Sequence, residues 1–574
     1  MIINKEKQFQ FFFISILVII FSRFVFLQIY QHQKYENRAG SNSIRKISLH
    51  APRGIIYDRL GIPLVDNLQI YDLALIPFDV TEKFNFDLLS QELNISVKNI
   101  KSIISNKKQS FHRFRPYVIK RHISFQTRSR IEESKLDLPG MFFEEFPARI
   151  YPNDANLTHV LGYLRTISSQ KTLDVAEYKM GDIYGYSGIE KVYESTLRGI
   201  NGTEFHLVDI YGIDHGVIED TPPIVTIPGQ DLNLSIHSKL QSYIEKIFNG
   251  KQGAVVCMDP ISGQILAFLS APDYDLNSFV GPVPKDIWNL WNENSAYPLL
   301  NRVIQGVYPP GSTMKLIAVA LAMESEKISK KWAVNCTGKY ILGDRTFHCW
   351  NSSGHGMTNM QQAITRSCNI YFYQLIQKLS FEEWKKMAEN FGFGSRTGID
   401  LYGEKLGNIP DRKYMNDKYG KYGWATGNLL TFVIGQGDVL VTPIQVSQMM
   451  NIIATRGRTF RPTLNIDKSS NELLLKLKST TWDFLQNSTW SVVNDAAGTG
   501  KLAQLDDAEI HGKTGTAQNP HGDDHSWFAG YMEIDNTPVV SLSVLVEHGG
   551  KGSIEGATIS RKIFQFVLEN DIVQ

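Results

Sequence analysis

Residues 307–316 read VYPPGSTMKL, and the apolar run continues to Met323. Pro309 and Pro310 prevent a helix before them, and Gly311 permits a sharp turn. TMKLIAVALAM then reads as a buried helix. Ser312 falls at its start, with Lys315 three residues on and on the same face. A serine hydroxyl is a weak nucleophile until a base takes its proton. A lysine held in a dry site loses its own proton more easily and can be that base. The spacing alone is weak: Ser-x-x-Lys recurs at 105–108 and 168–171, both in polar stretches.

Two further motifs follow in chain order. TRSCNIYF (365–372) holds Ser367 and Asn369 as Ser-x-Asn, and HGKTGTAQ (511–518) holds Lys513, Thr514, Gly515 and Thr516. Ser367 can relay a proton to a leaving amine, and Asn369 can hold Lys315 or a substrate amide. Lys513 brings a second positive charge that disfavours protonation of Lys315 and attracts a carboxylate. KTGT reads as a strand along which an extended peptide could pair. Gly515 would let that peptide come close, and the Thr514 and Thr516 hydroxyls suit its terminal carboxylate. The backbone N–H groups of Ser312 and Thr516 are the expected oxyanion hole.

The rest of the chain supplies the frame. It has 574 residues, enough for two or three domains, and a net charge of +1, which gives no support to nucleic-acid binding. Residues 9–30, FQFFFISILVIIFSRFVFLQIY, are long and apolar enough to cross a bilayer. No small-x-small cleavage site follows, so an uncleaved signal anchor is expected. Lys5 and Lys7 precede the span while Lys34, Arg38, Arg45 and Lys46 follow it, so the positive-inside rule leaves its orientation open.

Residues 31–50 read as a polar linker, 49–67 as strand, turn and strand, and 80–140 as helices alternating with polar loops. Residues 185–205 read as a helix with Gly-rich ends, and TPPIVTIPGQD (221–231) as a linker. GAVVCMDPISGQILAFLSAPD (253–273) reads as a hairpin, 526–534 and 538–548 as strands, and 557–570 as a closing helix. Strands at both ends of a segment with helices between them predict an α+β domain whose sheet joins its first and last parts. The expected division is 1–30 tail and anchor, 31–228 an N-terminal domain, and 229–574 the domain carrying the motifs.

Four cysteines remain. Cys336, Cys349 and Cys368 flank His355 at C-x12-C-x5-H-x12-C, a set able to bind zinc tetrahedrally although the spacing is not that of a zinc finger. A disulfide between two of them, or unpaired thiols, are the alternatives. Cys257 lies in an apolar strand and reads as core, and Glu190 as a packing or salt-bridge residue.

Ser-x-x-Lys, Ser-x-Asn and Lys-Thr-Gly in this order resemble the serine acyl-transferases of the penicillin-binding type. With the N-terminal span, APRGIIYDRLGIPL and YSGIEKVYESTLRG, the chain resembles class B penicillin-binding proteins over nearly its whole length. YPPGSTMKL, GHG (354–356), IGQGDVLVTPIQ (434–445), GKTGTAQ and HSWFAGY are most similar to the penicillin-binding protein 2 subfamily, the elongation transpeptidases. The division-specific subfamily is the nearest competitor. The resemblance implies a β-lactamase/transpeptidase-like domain with an antiparallel sheet flanked by helices, on a pedestal of the dimerisation type.

It also implies a peptidoglycan D,D-transpeptidase acting on D-Ala-D-Ala stem peptides through Ser312, with β-lactams as inhibitors. The domain would face the periplasm from a single inner-membrane anchor with a cytoplasmic tail, stand on the N-terminal domain as its pedestal, and work with a RodA-type glycosyltransferase and other elongation proteins. Relatives place a structural zinc in the stretch holding His355 and Cys368. Cys336 and Cys349 stand where relatives often have Asp, which changes ligand softness rather than competence. The competing readings are a D,D-carboxypeptidase, a β-lactamase, a β-lactam sensor, and a non-catalytic scaffold for the glycosyltransferase. No glutamate base for water activation is identifiable in the sequence, and only eight residues precede the span, too few for a sensor's effector domain.

Overall fold

The computed structural model describes residues 3–32, 44–108, 113, 116–167, 178, 182–208, 214–281, 283–329, 331–468, 470–520 and 522–572. The Ser-x-x-Lys repeat at 168–171 and most of the linker expected at 31–50 lie outside them. Residues Ile3–Val25 form a helix that runs into a π-turn at Phe26–Tyr30. The stretch Lys7–Tyr30 is apolar, has no buried residue and is long enough to span a bilayer.

Two compact units are present. The first gathers Met1–Arg53, Asn67–Ala148 and Arg198–Gly229; the second gathers Gly54–Asp66, Arg149–Leu197 and Gln230–Gln574. The packing is therefore interleaved along the chain and does not follow a single cut at 228/229. The reason lies in long-range pairing with no local signal. Leu232–Asn233 pairs in parallel with Ile56–Tyr57. The turn after Tyr57 is closed by buried Asp58, whose Oδ1 accepts from the backbone N–H groups of Leu60 and Ile62, both at 2.8 Å. Its Oδ2 accepts from the Ser238 hydroxyl at 2.6 Å. Glu190 forms a fully buried ion pair with Arg149, Nε to Oε1 2.8 Å. These N-terminal segments thus belong to the second unit's own core.

In the first unit, residues expected as linker form a strand: Ile44–Leu49 pairs antiparallel with Gly202–Val208. Residues 185–205 hold two short helices, Gly188–Val192 and Glu194–Leu197, and end in that strand rather than as one helix. Ile224 and Ile227, in the expected linker, make β-bridges to Thr203 and Ile200. Between 80 and 140 lie helices Phe86–Leu93, Val97–Lys108 and Phe125–Glu133, together with a strand, Tyr117–Ile123, that the sequence reading lacks. Leu73, Leu89, Leu93, Ile100, Ile104 and Ile131 build this unit's core.

The second unit is built on five antiparallel strands: β1 (Gly253–Met258), β2 (Ile265–Ala271), β3 (Glu509–Ala517), β4 (His525–Ile534) and β5 (Thr537–Val546), in the order β2-β1-β5-β4-β3. Its first hairpin and last strands share one sheet, as the α+β reading requires. Both faces are covered, so its strands carry apolar residues on both sides. Val255, Cys257, Phe528, Leu542 and Val544 pack with helices α1 (Ser238–Phe248) and α6 (Glu555–Glu569). Trp527, Ala529, Tyr531 and Leu545 join a larger core containing α2 (Lys315–Ser325), α3 (Asn369–Ile376), α4 (Pro443–Ala454) and α5 (Ser479–Asn494). Strand β3, which carries KTGT, is the sheet edge.

Candidate active site

The Ser312 turn is clamped from several sides. Gly311 has φ +57°, and a Cβ there would lie 2.8 Å from the Thr516 carbonyl oxygen. Its N–H donates to the Gly435 carbonyl at 2.9 Å, and the Trp527 indole donates to the Pro309 carbonyl at 3.1 Å. Residues Gly311–Met314 form a 3-10 turn that leads into α2. Ser312 is half-buried, whereas Lys315 on the first turn of α2 is fully buried.

Lys315 Nζ donates to Asn369 Oδ1 at 2.7 Å, to the Ser367 carbonyl at 2.9 Å and to Ser367 Oγ at 3.2 Å. Lys513 Nζ, also fully buried, reaches the same hydroxyl at 3.0 Å. Burial pulls Lys315 down to about 8, partly offset by the nearby Cys349 and Cys368. Burial and the charge of Lys315 push Lys513 well below the usual lysine range. Two cations on one hydroxyl in a dry site repel each other, which favours a neutral amine. The Ser367 oxygen can accept from both while its own proton points elsewhere.

Ser367 sits between the short helix Met360–Thr365 and α3, with φ +54°. This left-handed backbone costs a serine roughly 1–2 kcal/mol; the hydroxyl meets both lysines and the carbonyl meets Lys315. Asn369 opens α3, and its Nδ2 donates to the His348 carbonyl at 3.3 Å.

On β3, Gly515 has a structural role besides the one expected. A Cβ there would meet the Pro310 carbonyl oxygen at 2.8 Å, so the glycine lets β3 lie against the Ser312 turn. Thr514 Oγ1 lies 2.8 Å from Thr499 Oγ1, and the Thr516 hydroxyl accepts from Gly552 N–H at 3.2 Å. Thr499 and Gln436 were not singled out from sequence. Gln436 Nε2 donates to the Thr516 carbonyl at 3.0 Å, and its Oε1 accepts from Gln518 N–H at 3.3 Å. The glycine flanks in GTGK (498–501) and IGQGD (434–438) were the available signal.

The cysteine cluster forms beside this site. Strand Ala333–Cys336 pairs with Gly356–Asn359, and hairpin Lys339–Leu342 with Arg345–His348 delivers Cys349. The ligand atoms of Cys336, Cys349, His355 and Cys368 all lie within 4.8 Å of one another. Cys336 Sγ and Cys349 Sγ are each 3.5 Å from His355 Nδ1. A tetrahedral zinc with bonds of about 2.0–2.3 Å has ligand–ligand edges of about 3.3–3.8 Å, so the donors fit. None of the four cysteines is in a disulfide. The hydrogen bond between Cys349 and Cys368 pulls the Cys349 thiol below the usual thiol range, with His355 adding to it, and holds Cys368 above it. The cluster therefore stabilises a thiolate, the form that binds metal.

Comparison with known proteins agrees with this geometry. Residues 253–569 match the penicillin-binding protein transpeptidase domain, and residues 48–234 the penicillin-binding protein dimerisation domain. The chain belongs to the penicillin-binding protein transpeptidase family. The peptidoglycan D,D-transpeptidase MrdA of Haemophilus influenzae is 30% identical, the match covering 98% of this chain and 91% of that protein. Among solved structures, penicillin-binding protein 2 of Helicobacter pylori in complex with MreC superposes with a TM-score of 0.79 at 28% identity, covering 91% of this chain and 99% of that one. A chain from a peptidoglycan synthase complex, studied for how polymerization and crosslinking are coordinated, superposes at 0.73 with 26% identity, covering 98% and 97%.

Proposed function

We propose that the protein is a peptidoglycan D,D-transpeptidase of cell elongation working through an acyl-enzyme on Ser312. The observation that carries this is the buried Lys315–Ser367–Lys513 arrangement one turn from a half-exposed serine. Neutral Lys315 takes the Ser312 proton as Oγ bonds to the penultimate D-Ala carbonyl carbon. The Ser312 and Thr516 N–H groups hold the developing oxyanion. The tetrahedral adduct collapses, the peptide C–N bond breaks, and Ser367 passes its proton to the departing D-Ala amine while taking up the one Lys315 received from Ser312, which leaves Lys315 neutral again. An amine of a second stem peptide then attacks the ester and returns the proton to Ser312. Lys513, Thr514 and Thr516 face the donor's carboxylate end, and Asn369 holds Lys315. β-Lactams stop at the first ester.

A D,D-carboxypeptidase shares every step up to that ester and differs in using water. Incubating the protein with a donor stem pentapeptide, with and without an amine acceptor, separates them. Transpeptidation predicts a cross-linked product that grows with acceptor concentration. D-Ala release with no cross-link at any acceptor concentration would overturn it.

Cys336, Cys349, His355 and Cys368 are the residues that would hold a structural zinc. An ion held by these residues would supply no chemistry to the substrate; through them it would tie together the Cys336 strand, the hairpin end and, by Cys368, the Ser367 turn. Metal analysis of purified protein tests this: about one zinc, lost on replacing Cys336 and Cys349, supports it, and metal-free active protein sinks it. The Lys7–Tyr30 helix is read as a single inner-membrane anchor that leaves the catalytic domain in the periplasm. By similarity to the MreC-bound relative and to the chain from a peptidoglycan synthase complex, the partners include elongation proteins such as MreC, and the family resemblance adds a RodA-type glycosyltransferase. Copurification with each is the check.

A further inference from the structure

A second group of donors lies on β3 and β4, separate from the cysteine cluster. Glu509 and Glu533 stand directly opposite each other in the ladder, and His511 follows two residues along on the same face. Like charges opposite one another on neighbouring strands are destabilising unless something neutralises them. No Lys or Arg among the described residues pairs with either carboxylate. Arg456, whose charge reaches Tyr531 nearby, is held by Asp483 and Gln486.

His511 points into this pair. It is 5% exposed, and its Nε2 is buried with no hydrogen-bond partner. Glu533 Oε2 lies 3.5 Å from that nitrogen, too far for a good hydrogen bond. The other ring nitrogen is spoken for. Nδ1 lies 3.1 Å from the Gln486 carbonyl, which can only accept. Tyr531 OH is 3.0 Å and Thr489 Oγ1 3.4 Å from Nδ1, and hydroxyls can accept as well as donate, so both tolerate an Nδ1–H that the Gln486 carbonyl requires. An Nδ1–H donated to a backbone carbonyl leaves the Nε2 lone pair free, which is how a histidine is prepared to ligate a metal. The ligand atoms of Glu509, His511 and Glu533 lie within 4.8 Å of one another. A 3.5 Å nitrogen–oxygen edge suits two bonds of about 2.0–2.2 Å to one ion.

We propose that Glu509, His511 and Glu533 form a binding site for a divalent first-row metal ion. One imidazole and two carboxylates make a harder donor set than three thiolates, so this site takes ions such as Mn²⁺ that the cysteine cluster disfavours. The ion would clamp β3 to β4 two residues before Lys513.

The test uses the full chain in detergent, titrated with Mn²⁺ while the free-ion signal is followed by electron paramagnetic resonance. One Mn²⁺ bound at sub-millimolar concentration is expected. Glu533→Gln and His511→Gln should each weaken it at least about tenfold, while Cys336→Ser leaves it unchanged. Retained labelling by fluorescent penicillin certifies that the variants are folded, and Glu509→Gln replaces any that fails. No bound Mn²⁺, or binding unaltered in the carboxylate and histidine variants, would overturn the proposal and leave a His511–Glu533 ion pair as the whole arrangement.

Discussion

Lys315 must be neutral to take a proton from Ser312, and its burial sets how readily that happens. With its proton released near pH 8, the neutral fraction grows as pH rises through that value. The acylation rate by a penicillin should therefore rise about tenfold between pH 7 and pH 9. Stopped-flow acylation across this range checks it; a flat or falling profile contradicts the base role. Ser-x-x-Lys, Ser-x-Asn and Lys-Thr-Gly were legible because each is a short local pattern, and the fold brings all three onto one hydroxyl. Thr499 and Gln436 were not, because a threonine or glutamine between glycines reads as loop until its partners on β3 are known.

At the level of elements, the closeness of β3 to the Ser312 turn rests on glycine. Gly515→Ala would place a Cβ 2.8 Å from the Pro310 carbonyl and force the two apart while removing no functional group. The penicillin acylation rate should fall at least about tenfold, since small displacements of reacting groups are costly, with far-ultraviolet circular dichroism unchanged. An unaltered rate would show that the strand and turn can separate harmlessly. The Arg149–Glu190 pair is the matching case for stability. Glu190→Gln takes a buried negative charge away from the Arg149 guanidinium it is hydrogen-bonded to, expected to cost about 3–5 kcal/mol, read as a lower denaturant midpoint. The sequence reading placed Glu190 in packing or a salt bridge but could not supply its partner, 41 residues away.

At the scale of the molecule, the apolar N-terminal helix, the hairpin of β1 and β2 and the closing helix were all readable from periodicity and turn residues. The interleaving of the two units was not. Segments 54–66 and 149–197 join the second unit through pairing with residues far along the chain, which no local pattern encodes. The strand at Tyr117–Ile123 was missed for a related reason: only three of its seven residues, Tyr117, Val118 and Ile119, precede the charged run Lys120–His122, so it lacks a clean alternation. Every proposed catalytic residue lies in the second unit. Removing residues 1–32 should therefore free the protein from membranes in a flotation assay and leave its penicillin acylation rate within about twofold. A large loss of acylation would show that the span shapes the active site itself.

The central claim is that Ser312 forms the acyl-enzyme. Intact-protein mass spectrometry after incubation with a β-lactam, on wild type and Ser312→Ala, tests it most directly. The account predicts one stable adduct of the antibiotic's mass on the wild type, mapped to the peptide containing Ser312, and none on the variant. An adduct that persists in Ser312→Ala, or folded wild-type protein that forms none, would contradict it.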